Sequence, residues 1–162
     1  MAVNRGKDFE NVIREAFEKV PGVSIDRLHD QTTKFKGTSA NICDFIVYRE
    51  PYEYYFECKS VHGNTLPFSN ITDKQWNGLL EKSKIEGVFA GIICWWIDKD
   101  TTKFIPIQLL QYMKECDKLK SYRYEFGGYL PKQYTAIEIK GKKKRVFFNY
   151  DMEEFLDEIS MS

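Results

Sequence analysis

Two short apolar stretches, Cys43-Asp44-Phe45-Ile46-Val47 and Tyr55-Phe56-Glu57-Cys58-Lys59, carry ionisable residues where a chain can least accommodate them. Their β-branched and aromatic makeup reads as buried strand. A charge inside such a strand is costly unless it is paired, hydrogen-bonded or bound to a metal. Alternate side chains of a strand share a face, so Glu57 and Lys59 point one way while Phe56 and Cys58 point the other. If the strand of Asp44 pairs with the next one through a turn between Tyr48 and Tyr54, both carboxylates and the ammonium converge at one end of a small sheet.

The residue types suit one chemistry. Two carboxylates offer hard oxygen ligands to Mg²⁺ or Mn²⁺, and Mg²⁺ keeps positions open for water and phosphate oxygens. A cation held there acidifies its water and polarises a phosphoryl group. Lys59 is then placed to hold the attacking water or to neutralise charge on the scissile phosphate. The residues alone leave a second reading open: an Asp at a strand end beside a buried Glu57 to Lys59 ion pair.

A wider pattern accompanies the trio. An N-terminal helix bears Glu10 behind Arg5-Gly6-Lys7, the segment Gly37-Thr38-Ser39-Ala40 precedes Asp44, and a helix carrying Gln75 follows the motif. Together with Asp44 and Glu57-Cys58-Lys59 this resembles the PD-(D/E)xK nuclease superfamily, and within it the Holliday junction resolvases of the bacterial and phage RecU type and the smaller archaeal type. The resemblance runs from about residue 4 to residue 107. Cys43 stands where the family usually has a proline, and only residues 30–41, with Lys34 and Lys36, are available for the basic stalk of the RecU type.

The resemblance implies an α/β, restriction-endonuclease-like core with a mixed central sheet flanked by helices. It implies a metal-dependent endodeoxyribonuclease that acts in DNA recombination and repair, with Asp44, Glu57 and the Cys58 backbone carbonyl as ligands. Lys59 would act on the water or phosphate, and Glu10 and Gln75 would be catalytic. Substrate contacts would come from Lys34, Lys36, Ser39 and Lys74. Four-way DNA junctions are the implied partner and a C2 homodimer the implied assembly. The same core also serves restriction-like and repair nucleases that prefer flaps, ends or mismatches. A catalytically silent DNA-binding module and an interaction protein with an ion-pair cluster are the readings of other classes.

Several of these residues have a complete local account as well. Glu10 lies one position off the apolar stripe Phe9, Val12, Ile13, Ala16, Phe17 and Val20 and could pair with Arg14 at i+4. Thr72 and Gln75 form a capping box for a helix running to about Glu86. Lys140-Gly141-Lys142-Lys143-Lys144-Arg145 is the strongest basic cluster, expected at the tip of a hairpin between 134–139 and 146–150, where Lys142, Lys143, Lys144 and Arg145 would meet phosphate or solvent.

At 162 residues and 43% hydrophobic content the chain suits a single domain, 1–162, with a real core. Its 24 basic and 24 acidic residues cancel, which argues against coating DNA by bulk charge and shifts the weight to local distribution. With no apolar run of about 18 residues and no signal-like N-terminus, a cytoplasmic protein without membrane contact is expected. Cys43, Cys58, Cys94 and Cys116 lack metal-site spacing with His29 or His62 and read as reduced cysteines, three of them in strands.

Further expected elements are a strand at 23–28, a central strand at 88–97, a strand at 103–107, a helix at 106–118 and an acidic helix at 152–159. Trp95 and Trp96 could serve the core, a dimer contact or base stacking. The aromatic segment 121–133 could cover the core, line a DNA groove or meet a second subunit.

Overall fold

The computed structural model describes residues 4–28, 41–126 and 134–161. The first helix, α1 (Arg5–Glu18), starts four residues before Phe9, the first of its apolar stripe, because the Asn4 side chain accepts the Lys7 amide at 3.2 Å and caps it. Pro21 and Gly22, the latter at φ +74°, end the helical stretch and turn the chain into β1 (Ser24–Arg27). β2 (Phe45–Arg49) and β3 (Tyr52–Val61) complete an antiparallel meander.

α2 (Asp73–Ser83) then carries the chain across the sheet, so that β5 (Val88–Trp96) runs parallel to β3. The short β4 (Thr65–Pro67) lies between β3 and α2 and pairs with β7 (Ser121–Arg123) in a two-stranded ribbon. β6 (Thr101–Pro106) returns antiparallel to β5 and leads into α3 (Ile107–Glu115). With β8 (Ile137–Glu138) at the far edge, the strand order of the mixed six-stranded sheet is β1-β2-β3-β5-β6-β8. A hairpin, β9 (Gly141–Lys144) with β10 (Phe147–Tyr150), and α4 (Met152–Met161) close the described chain.

Both faces of the sheet are covered. On one, α1 and α4 bury Phe9, Ile13, Phe17, Phe155 and Leu156 against Phe56, Ile93, Trp95 and Phe104. On the other, α2 and α3 bury Trp76, Leu79, Leu110 and Met113 against Ile92, Cys94, Trp96 and Ile105. This explains why β5 reads as a continuous apolar run: its alternate residues feed two cores. Trp95 and Trp96 both belong to the core, one to each side. Tyr122 is fully buried too, so the described part of the aromatic 121–133 segment folds over the core. No helix among the described residues is long and apolar enough to cross a membrane.

The structure corrects the expected hairpin. Residues 134–139 do not pair with 146–150: Ile137 and Glu138 pair with Phe104 and Lys103 on the edge of the main sheet, and the Ile139 amide donates to the Thr102 carbonyl at 2.9 Å. Ile137 and Ile139 both sink into the core, which outweighs local hairpin closure. The basic residues form a strand themselves. Lys142, Lys143 and Lys144 pair with Asn149, Phe148 and Phe147, and of the basic cluster only Arg145, at φ +51°, sits in the turn. Gly141 permits this register, since a Cβ there would stand 2.6 Å from the Asn149 carbonyl oxygen.

Gly91 is the tightest point of the sheet: a Cβ would meet the Ile105 carbonyl oxygen at 2.3 Å and the Phe104 ring at 2.7 Å. Neither the strand backbone nor that ring, itself 1% exposed, has room to yield. Gly91→Ala is expected to destabilise the protein by about 2 kcal/mol or more, measured by urea denaturation.

Candidate active site

The site forms where the β2–β3 ladder stops. Phe45 is the cross-strand partner of Phe56, yet the Asp44 amide also donates to the Phe56 carbonyl at 3.1 Å, a bulge-like slip of one residue. On its other side the Asp44 carbonyl accepts the Leu28 amide at 2.8 Å, so the Asp44 backbone is fixed by both neighbouring strands. Its side chain then replaces the missing ladder partner, with Oδ2 accepting the Cys58 amide at 2.8 Å. By the alternation of the ladder the Cys58 carbonyl faces the same edge of β3, beyond the end of β2.

Upstream, the chain is held against α2. A Cβ on Gly78 would lie 2.4 Å from Cγ2 of Ile42, so only glycine allows the approach that delivers residues 42–44 to the sheet.

Glu57 and Lys59 occupy the α2 side of β3, and Glu57 is only 5% exposed. Glu57 Oε1 accepts from Gln75 Nε2 at 3.2 Å and lies 3.6 Å from Lys59 Nζ. Lys59 Nζ also approaches Gln75 Oε1 at 3.5 Å. Gln75 simultaneously completes the capping box of α2: Oε1 accepts the Thr72 amide at 3.1 Å, and the Gln75 amide donates to Thr72 Oγ1 at 3.1 Å. The capping role and the site role are thus one arrangement of one side chain.

Burial raises both carboxyls above their ordinary range, Glu57 to about 9 and Asp44 to about 6. For Glu57 the charge of Asp44 adds to burial, while Lys59 offsets only part of it. For Asp44 the Cys58 amide opposes burial, while the charge of Glu10 adds to it. Burial likewise pushes the neighbouring Cys43 thiol up to about 12 and Cys58 well above its usual value, which keeps both from acting as thiolate nucleophiles. All four cysteines are free, and Cys116 is exposed.

Glu10 pairs with Arg27 rather than with Arg14, which bonds Glu18 at 3.0 Å. Arg27 Nη2 donates to Glu10 Oε2 at 2.9 Å and its Nη1 to Asn11 Oδ1 at 2.8 Å. The Glu10 charge is near enough to push up both Asp44 and Glu57. Arg27 was not marked by the sequence; only its pairing with Phe45, next to Asp44, brings it here. Lys74 is exposed beside Gln75 in the first turn of α2.

The basic hairpin does not join this group. Phe147 packs on Trp95 from the α1 face, the face opposite to Glu57, and Lys143 bonds Asp100 at 2.6 Å. Lys34, Lys36 and Ser39 lie outside the described residues. His62 is exposed and its Nδ1 stands 3.0 Å from Asp98.

Among the described residues no three His, Cys, Asp or Glu side chains are arranged as ligands around one point. The donor set still suits a hard divalent ion, which needs only one or two carboxylates and keeps waters and phosphate oxygens as its other ligands. Burial and the Asp44 charge together push the Glu57 carboxyl up, and a cation held there would offset both.

Carboxyls that hold protons more tightly when folded contribute stability in full below the unfolded pKa. They lose it as pH rises toward the folded value, here between about 4.5 and 9 for Glu57. In EDTA, the thermal midpoint of Glu57→Gln should therefore fall less than that of the parent between pH 5 and pH 9. At pH 9 it should exceed the parent's by roughly 5 °C, as read by thermal unfolding.

No protein-family model matches the sequence, and no curated protein matches it. Among solved structures the chain is similar to Hjc of Archaeoglobus fulgidus, a Holliday junction resolvase from an archaeal hyperthermophile. The identity is 18%, covering 73% of this chain and 86% of that one, with a TM-score of 0.50. At that identity the likeness is one of fold: the mixed sheet with helices on both faces is an α/β, restriction-endonuclease-like architecture.

Proposed function

We propose that this protein is a divalent-cation-dependent DNA endonuclease selective for branched DNA, with four-way junctions as its substrate. The observation that carries the reading is the meeting of Asp44, Glu57, Lys59 and Gln75 at the broken end of the β2–β3 ladder. Asp44, Glu57 and the Cys58 carbonyl would hold Mg²⁺ or Mn²⁺. The chemistry supplied by such an ion is an acidified water and charge relief at the phosphoryl oxygens.

The chain's own residues supply the rest. Lys59, one-fifth exposed, can reach solvent beyond the buried Glu57 and present its ammonium to the water or to a non-bridging phosphate oxygen. Gln75 holds the ammonium and Glu57 in register, donating to one and accepting from the other. Glu10, neutralised by Arg27, supports the site from α1 without adding an unpaired charge. The described chain carries one such site, whereas resolving a junction takes two symmetric cuts, so the active species is proposed to be a C2 homodimer.

A labelled four-way junction and the matching duplex, incubated with Mg²⁺, Mn²⁺ or EDTA, provide the test. Paired symmetric nicks in the junction, made only with metal, are expected. Equal cutting of the duplex would replace this reading with a restriction-like or repair nuclease, and DNA binding without cutting would replace it with a silent binding module. Asp44→Asn, Glu57→Gln and Lys59→Ala should each lower cutting by about 10²-fold or more while DNA binding persists, and Gln75→Ala should lower it by about 10-fold. Light scattering should give twice the mass of one chain.

A further inference from the structure

A second feature lies one helical turn from the site. The first turn of α2 presents Gln75 to Glu57 and Lys59 on one side, and on the other its Thr72 and Asp73 form the wall of an open groove of about 840 Å³. Three lysines line that groove, Lys114 from α3 and Lys118 and Lys120 from the turn that follows it, against a single carboxylate, Asp73. All three lysines are exposed.

They are presented from a fixed scaffold. The Lys114 ammonium sits 4.7 Å from the centre of the Trp76 ring, and Trp76 is itself anchored by Nε1 donating to Gln111 Oε1 at 2.6 Å. Lys118 is in the left-handed region at φ +55°, the Leu119 amide donates to the Met113 carbonyl at 3.0 Å, and the Phe68 amide donates to the Lys120 carbonyl at 2.9 Å. The backbone that carries Lys118 and Lys120 is thereby tied both to α3 and to the turn that leads into α2. No lysine of the three is in an ion pair among the described residues.

We propose that this groove binds the sugar-phosphate backbone of the DNA arm leading away from the scissile bond. The inference rests on the endonuclease reading, and it adds the surface that holds the substrate. A polyanion with one charge per about 3.4 Å along each strand, entering at Lys59, brings its next phosphates past the first turn of α2 and over the three ammonium groups. Exposed lysines with no base-edge geometry recognise backbone charge and not sequence, which suits an enzyme that must accept arms of any sequence. The positive end of the α2 dipole faces the same way.

The test is binding of a labelled four-way junction in EDTA, which reads the groove whether or not the protein cuts. The triple variant Lys114→Gln, Lys118→Asn, Lys120→Gln, with asparagine chosen for the left-handed position, is compared with the parent over a salt series. A variant with arginine at all three positions serves as the charge-preserving control. The neutral variant should bind roughly 10- to 100-fold more weakly, with a salt dependence shallower by about 2 to 3 in the log-log slope, while the arginine variant stays within a few-fold of the parent. Equal affinity and slope in the neutral variant would overturn the proposal, as would failure of the parent to bind DNA. Loss of binding in the neutral variant, with a parent that binds but cuts nothing under any metal, would leave the groove standing and remove the endonuclease reading.

Discussion

The hydrogen bond from the Cys58 amide to the Asp44 carboxylate sets the terms for the rest of the site. A strand amide left unpaired inside the protein is costly, and the chain satisfies this one with a side chain instead of the next residue of β2. Two consequences follow from that exchange. It frees residues 42 and 43 to leave the sheet and pack beneath α2, and it fixes a carboxylate beside Glu57 with a charge-assisted bond. The site is therefore electrostatically unbalanced by construction. One amide, one ammonium and one amide side chain face the buried Glu57 and the half-buried Asp44, and burial pushes both carboxyls up.

α2 is the element that makes this imbalance tolerable. Its Gly78 admits Ile42 at a distance no other residue allows, and its Gln75 ties Glu57 and Lys59 to the helix cap. Because the same amide oxygen faces the Thr72 amide and Lys59, the first turn of α2 and the Lys59 side chain share one hydrogen-bonding centre. A movement of the helix start would thus be felt at the ammonium, and the groove on the outer side of that turn shares Thr72 with it.

Much of this was legible in the sequence wherever burial and local chemistry pointed the same way. Charged residues inside apolar runs marked β2 and β3, the capping box marked α2, and the unbroken apolar run marked β5 as covered on both faces. What escaped depended on non-local pairing. The 137–139 segment has the alternation of a hairpin strand, and its true partner, the edge of β6, lies more than thirty residues away. The basic run reads as a tip because lysines favour solvent, yet exposed lysines are equally suited to a two-stranded ribbon standing off the core. Likewise, nothing in the spacing of Lys114, Lys118 and Lys120 connects them to Thr72, since the turn after α3 brings them together only in space.

Arg27 shows how far a register can carry function. β1 meets β2 with Arg27 opposite Phe45, and this places the guanidinium at the end of the sheet where α1 offers Glu10 and Asn11. A slip of one residue would turn Arg27 to the other face and leave the Glu10 charge uncompensated beside two carboxyls that burial already pushes up. Glu10 can stand near the pair because its charge is already matched, and Asp44 and Glu57 remain the groups whose charge is not. The edge strand thereby decides which carboxylates stand without a guanidinium of their own, although it contributes neither of them.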